Sequence, residues 1–299
     1  MKLICGYILV LFLILSCITS CKSGSQNKKP NNNYLDSDFK PDPLYPAGQV
    51  ELIIPSSGSD IYGLAYTADG KGPHPTVILS HGLPGNERNL DLAQSIRRAG
   101  YNVIFYNYRG SWGSKGTFGF KNSIDDVAAV LDYITDSLNK ATLRVDEDRI
   151  ALYGHSMGAS FSLFAGLDDP RVKGIAGTSV FNPYTLLQGD EARGNLLSLK
   201  QYLLTLKMLN CDPNEFLTDI LTDVGQYNIA DKISRSKKPI LIIDEHMNNQ
   251  EFTKFNKKKD FSYKIWNTDQ AFSNRRVALT VEIKNWLDVT IPRPEEPAE

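Results

Sequence analysis

The 299 residues suffice for one large α/β domain or two small ones, and 41% hydrophobic with 22% charged residues is an ordinary globular composition. A net charge of −1 at pH 7, with no basic stripe carrying interleaved aromatics, gives no electrostatic case for nucleic acid. No repeat recurs at solenoid or propeller periods.

The chain opens with Lys2 and a run from Leu3 to Leu15 that is apolar apart from Gly6. A bilayer span needs roughly 20 apolar residues and the core of an export signal roughly 7–15, so the run fits a signal peptide over residues 1–20. It ends in Ile18-Thr19-Ser20-Cys21, which resembles a bacterial lipobox. That resemblance implies cleavage before Cys21, a diacylglyceryl thioether on its sulfur, and an exported protein held on the cell envelope by lipid. Cys17 is a weaker second candidate because Leu15 is large for its place, and an uncleaved anchor helix is the alternative. Cys5 and Cys17 would leave with the signal, so Cys211 has no partner and no intramolecular disulfide is expected. Cys211 reads as a small buried apolar residue. Residues 21–48 are rich in Asn, Lys, Ser and Pro and read as a lipidated flexible tether.

The domain is expected over 49–292, with a polar tail at 293–299. Val50–Ile54 and Tyr62–Tyr66 read as strands separated by a Ser/Gly/Asp turn. Thr76–Ser80 is an apolar run suited to a strand buried on both faces. A helix follows with Leu92, Ala93, Ile96 and Ala99 on one face, ended by Gly100. Tyr101–Tyr106 is the next strand. Residues 122–138 carry Ile124, Val127, Ala128, Leu131, Ile134 and Leu138 at helical spacing. Arg149–Tyr153 reads as a strand, with a small-residue helix after it to Gly166. Val172–Thr178 and Ile240–Ile243 are further buried strands, and a last helix runs from Asn274 to Leu287. The alternation predicts a mostly parallel twisted sheet with helices on both faces. Residues 182–236, leucine-rich and helical, interrupt it before the penultimate core strand. They form either a lid over the carboxyl ends of the strands, where ligands bind in such sheets, or a peripheral ornament.

Gly154-His155-Ser156-Met157-Gly158 follows a strand and opens a helix, the context that a Gly-x-Ser-x-Gly nucleophile elbow requires. Ser156 is the candidate nucleophile. His81-Gly82-Leu83 ends a core strand, so the N–H groups of Leu83 and Met157 are the candidate oxyanion hole. With Asn107-Tyr108-Arg109-Gly110-Ser111-Trp112-Gly113-Ser114, these segments resemble the α/β-hydrolase superfamily. The closest likeness is to bacterial prolyl-oligopeptidase and serine-aminopeptidase types, over roughly 49–288.

That resemblance implies an acid after the strand at Ile240–Ile243 and a histidine just before the last helix. Asn248 falls at the acid position. Asp269-Gln270-Ala271-Phe272-Ser273 matches the histidine segment except that Gln270 replaces the histidine. An amide has no useful pKa, and an acid has little to do once its histidine is gone. Of the four histidines, His74 reads as a solvated loop residue, and His81 and His155 belong to the backbone motifs. His246 is the one candidate substitute base, with Asp244 or Glu245 to orient it, or else a surface loop residue.

Two functions therefore stay open. One is an ester or amide hydrolase with an atypical triad. The other is a lapsed pseudo-hydrolase that binds a small-molecule or peptide carbonyl ligand. No metal cluster, phosphate-binding glycine loop or nucleotide motif occurs, so no cofactor is expected.

Overall fold

The computed structural model describes residues 33–294. The expected signal peptide, Cys21 and the first part of the tether lie outside the described residues, as does the tail from 295. One eight-stranded sheet runs in the order β1-β2-β4-β3-β5-β6-β7-β8. Its strands are β1 (Gly48–Ser56), β2 (Ser59–Thr67), β3 (His74–Ser80), β4 (Asn102–Tyr106), β5 (Val145–His155), β6 (Val172–Thr178), β7 (Ile240–Asp244) and β8 (Phe261–Ile265). β3 to β8 are parallel, and the β1–β2 hairpin adds an antiparallel edge beside β4. β3, β4 and β7 are buried along their whole length, which is why their sequences are nearly unbroken apolar runs.

Helices cover both faces. On one face α2 (Leu90–Arg98) and α10 (Arg276–Thr290) bury Leu92, Ile96, Leu279, Ile283 and Leu287. On the other, α3 (Phe120–Thr135) and α5 (Met157–Gly166) bury Val127, Leu131, Ile134, Phe161 and Leu163. This is the expected α/β-hydrolase architecture. The helix expected over 122–138 is broken, because the Asp136 carboxylate accepts from Leu138 N–H at 3.0 Å and Asn139 N–H at 3.3 Å. That side chain caps a new short helix, α4 (Ser137–Leu143). β8 was not anticipated: Phe261 and Tyr263 point inward with Ser262 and Lys264 half-buried between them, a period-2 signal only five residues long.

The insertion holds α6 (Pro183–Leu186), α7 (Ala192–Thr205), α8 (Pro213–Thr222) and α9 (Ile229–Arg235). It is stitched to the loop after β4. Asn210 N–H donates to Gly110 O at 2.7 Å, Phe118 N–H to Asn210 O at 2.8 Å, and Trp112 N–H to Met208 O at 3.1 Å. Phe216 of α8 stacks on Phe118, with centroids 5.7 Å apart, and is fully buried.

Three expectations are corrected. Part of the segment 33–48, assigned to the tether, is held on the domain: it begins with a helical turn, α1 (Asn33–Asp36), while residues 36–41 and 43–46 are exposed. Tyr34 is buried, and the Arg98 guanidinium donates to Tyr34 O at 2.7 Å and Leu35 O at 3.0 Å. His74 is buried, not solvated: it starts β3, and its Nε2 donates to Gly70 O at 3.0 Å. Cys211 is half-buried, and burial pushes its thiol up to about 11.

Candidate active site

Ser156 sits between β5 and α5 with φ 54° and ψ −120°. For a residue with a side chain such a conformation costs about 1–3 kcal/mol and persists only where the surroundings enforce it. Here Ser156 N–H donates to Thr178 O at 2.8 Å, and Ser156 O accepts from Ala159 N–H at 3.1 Å and Phe181 N–H at 3.3 Å. The flanking glycines have a steric cause. A Cβ at Gly154 would run into the backbone of Gly158 and Ala159, and one at Gly158 into the carbonyls of Ser80 and His81.

The oxyanion segment packs directly on this turn: a Cβ at Gly82 would lie 2.9 Å from Ser156 Cβ. Met157 opens α5, so its N–H is one of the helix's unpaired donors. Leu83 follows Gly82 beside it. His81 fixes the segment from below. Its Nδ1 faces Gly82 O at 2.8 Å, and because a carbonyl only accepts, Nδ1 carries the proton. Nε2 is buried without a partner, and burial pushes the pKa down to about 4, so His81 is neutral at pH 7. Tyr108 OH donates to His81 O at 3.0 Å, and Trp112 Nε1–H to Pro84 O at 2.6 Å, with the Arg88 guanidinium 4.4 Å over the indole. Trp112, given no role from sequence, braces this loop.

Beneath it, Arg109 Nε pairs with Asp126 at 2.5 Å. The same carboxylate accepts Arg109 N–H at 2.8 Å and Ser56 Oγ–H at 2.6 Å. Burial pushes the Asp126 carboxyl up against these three donors.

A cavity of about 490 Å³ at the carboxyl ends of the strands brings the sequence candidates together. Ser156, His246, Asn248 and Gln270 all line it. So do Asn182, Thr185, Glu191 and Asn195, which the insertion supplies, so residues 182–195 do form a wall of the site. Sequence gave no signal for these four, since they lie in a segment whose only pattern is leucine.

The loop carrying Gln270 is rigidly held. His155 Nε2–H donates to Gln270 O at 2.9 Å, and Arg276 to Ala271 O at 3.1 Å. Phe272, at φ 58°, is fully buried, and Ser273 N–H donates to Asp269 Oδ1 at 2.7 Å. Since Nε2 must hold the proton, His155 Nδ1 is bare, and it is buried without a partner. Burial lowers the His155 pKa. His155 is thus committed to a backbone carbonyl. The Gln270 carboxamide, exposed at the cavity, can donate and accept hydrogen bonds but cannot take a proton near neutral pH.

His246 is half-buried rather than a surface residue, and its Nδ1 is buried without a partner. Neither neighbouring carboxylate hydrogen-bonds to it. Asp244 accepts from Val180 N–H at 2.7 Å on one oxygen and from the Asn249 amide at 2.9 Å on the other, and burial pushes its carboxyl up. Glu245 Oε1 accepts from Ser179 Oγ–H at 2.9 Å, and Oε2 has no partner. No cluster of three or more His, Cys, Asp or Glu among the described residues is placed to hold a metal ion.

The profile of the family described as "Serine aminopeptidase, S33" matches residues 71–222, just over half of the chain. The chain belongs to that family. The match spans the oxyanion segment, the elbow and most of the insertion, and stops before the loops of Asn248 and Gln270. An Escherichia coli protein described as "Uncharacterized 31.7 kDa protein in traX-finO intergenic region" is 31% identical over 128 residues. That match covers 40% of this chain and 43% of the relative, less than half its length.

Among solved structures, Est1E from Butyrivibrio proteoclasticus is similar at a TM-score of 0.60 and 15% identity, over 81% of this chain and 98% of that one. The acylaminoacyl peptidase of Pyrococcus horikoshii gives 0.60 and 13%, over 85% and 43%. A 2,6-dihydroxy-pseudo-oxynicotine hydrolase gives 0.59 and 17%, over 83% and 69%. At these identities the likeness shows the fold. This S33-family chain is therefore an α/β hydrolase in fold and family.

Proposed function

We propose that this protein is a hydrolase-fold lipoprotein of the cell envelope with an impaired triad, which binds a carbonyl-containing small molecule or peptide at Ser156. One observation carries the reading: Ser156, Asn248 and Gln270 line the same cavity. The nucleophile position keeps its residue, while the acid and base positions hold two amides. Leu83 and Met157 N–H groups still offer an oxyanion site, because a side-chain change elsewhere leaves main-chain donors in place. The loss of the base from a serine triad lowers kcat on the order of 10⁶-fold, with about 10³–10⁴ over water left from the oxyanion hole and binding. The structural neighbours include an acylaminoacyl peptidase, a name that fits a pocket made for a carbonyl. The anchor through Cys21 rests on the lipobox-like Ile18-Thr19-Ser20-Cys21 alone.

A second reading, a rewired hydrolase, is favoured by His246, which lines the cavity and has a buried nitrogen free. Its orienting acid would be Glu245, whose Oε2 is also free. The test is p-nitrophenyl ester turnover and fluorophosphonate labelling by wild type, Ser156→Ala and His246→Ala. The binding reading expects wild-type turnover within a few-fold of Ser156→Ala. A wild type more than tenfold faster, silenced by His246→Ala, would replace it with the rewired enzyme.

A further inference from the structure

At the opposite end of the strands from the cavity, the loops before β7 and β8 bring lysines together. Lys237, Lys238, Lys258 and Lys259 surround a hollow of about 240 Å³ with Asp260 as the one carboxylate on its rim. Lys257 lies in the same turn and is exposed. Two of the five have structural work. Lys258 Nζ donates to Ile233 O at 2.6 Å, Ser234 O at 3.1 Å and Ser236 O at 2.8 Å, closing the carboxyl end of α9. Lys238 Nζ donates to Gly166 O at 2.8 Å, at the end of α5, and to Asp169 O. Carbonyl partners satisfy the donors of Lys258 without cancelling its charge, whereas the carboxylates of Asp169 and Asp168 lie close enough to act on Lys238.

The neighbouring cations behave differently. Lys232, Arg235 and Lys254 each pair with a carboxylate, those of Asp168, Asp231 and Glu251. Lys237, Lys257 and Lys259 are exposed and form no ion pair among the described residues. In a chain of net charge −1 this corner is a local excess of positive charge.

The amino-terminal segment meets the domain on the same end. Tyr34 and Leu35 are held by Arg98, the last residue of α2, from which Gly100 leads into the start of β4. β4 and β7 are four positions apart in the sheet, roughly 20 Å at the usual strand spacing.

We infer that the corner of Lys237, Lys257 and Lys259 docks on an anionic lipid surface, so that the domain stands on the bilayer with the Ser156 cavity facing away. The proximity part rests on the lipid anchor proposed above; the charge part does not. The strands hold the cavity roughly 20 Å from the docked end, so its ligand comes from the aqueous phase and not from within the membrane.

The test uses the full chain carrying Cys21→Ser, co-sedimented with phosphatidylcholine vesicles and with vesicles containing phosphatidylglycerol. The apolar run at Leu3–Leu15 and the lysines beside it, Lys2, Lys22, Lys28 and Lys29, are shared by this chain and by the same chain with the corner lysines replaced, so the difference between those two in the vesicle ratio reports the corner. Each lysine near an anionic leaflet contributes about fivefold, so the three corner lysines add roughly 100-fold to the preference for charged vesicles at low salt. That preference collapses near 0.5 M salt, where screening acts over only about 4 Å. It falls by roughly 100-fold in Lys237→Gln/Lys257→Gln/Lys259→Gln, whose exposed positions leave the fold intact. Equal partitioning, or a preference that the triple variant keeps, overturns the inference. Mass analysis of the wild-type amino terminus separates the two ideas. An unlipidated Cys21 with the anionic preference intact sinks the anchor and spares the docking, while a lipidated Cys21 without it does the reverse.

Discussion

The two halves of the cavity are built from different materials. The half at the elbow is made of main chain: Ser156 is held at φ 54° with its N–H and carbonyl both hydrogen-bonded, and Gly82, Gly154 and Gly158 admit close backbone contacts. The half formed by the loops after β7 and β8 depends on side chains, and there the two expected catalytic groups are Asn248 and Gln270. Yet the second loop keeps its scaffold, with His155 on Gln270 O and Arg276 on Ala271 O. Main-chain geometry also serves the fold, since the elbow turns β5 into α5. The proton-transfer side chains serve only the reaction, so they can change without cost to the fold.

The sharpest way to test this contrast is to return the side chains. Because the Gln270 loop is already clamped, Asn248→Asp/Gln270→His is expected to raise p-nitrophenyl ester hydrolysis on the order of 10⁴-fold or more, with Ser156 becoming reactive to fluorophosphonate. A double variant as slow as Ser156→Ala would mean that the elbow side has lapsed too.

The next largest effect attacks the main-chain half through its support. Asp126→Asn leaves the Arg109 guanidinium buried without its counter-charge, which costs about 3–5 kcal/mol. Urea unfolding is expected to show that loss, and losing it would loosen Tyr108 and with it His81. An unchanged midpoint would show that the pair does not hold the oxyanion loop.

The smallest effect is read in pH. The folded-state pKa of His81 is depressed from 6.5 to about 4. Between those values the unfolded chain binds more protons, so stability is full above pH 6.5 and falls as pH drops towards 4. From pH 7 to pH 5 the loss from this group is about 2 kcal/mol. His81→Gln, measured at both pH values, is expected to remove that part of the slope; a slope unchanged by the substitution would assign it to His155 or His74.

Most of the fold was legible because it is written in short-range patterns. Apolar runs of β3, β4 and β7, the helical spacing of 122–138 and the Gly-x-Ser-x-Gly elbow each need only a few consecutive residues. Ser156 and Gln270 are singled out for the same reason, from the short segments around them, and both line the cavity. β8 was missed because five residues carry too little signal, and the break at Asp136 because a cap competes with periodicity at a single position.

The tertiary structure alone decided which side chains share a space and which are already spent. His155 reads in sequence as part of the elbow motif alone, yet a carbonyl 115 residues away accepts its Nε2–H hydrogen bond. Asp244 stands beside His246 in the chain, but Val180 and Asn249 hold its carboxylate. Asn182, Glu191 and Asn195 come from the segment 182–195 after β6, yet all three line the cavity beside Gln270. Sequence determines local conformation through steric and periodic rules that act within a few residues. Hydrogen-bond partners and cavity walls depend on which distant segments meet, and that is settled only when the whole sheet is assembled.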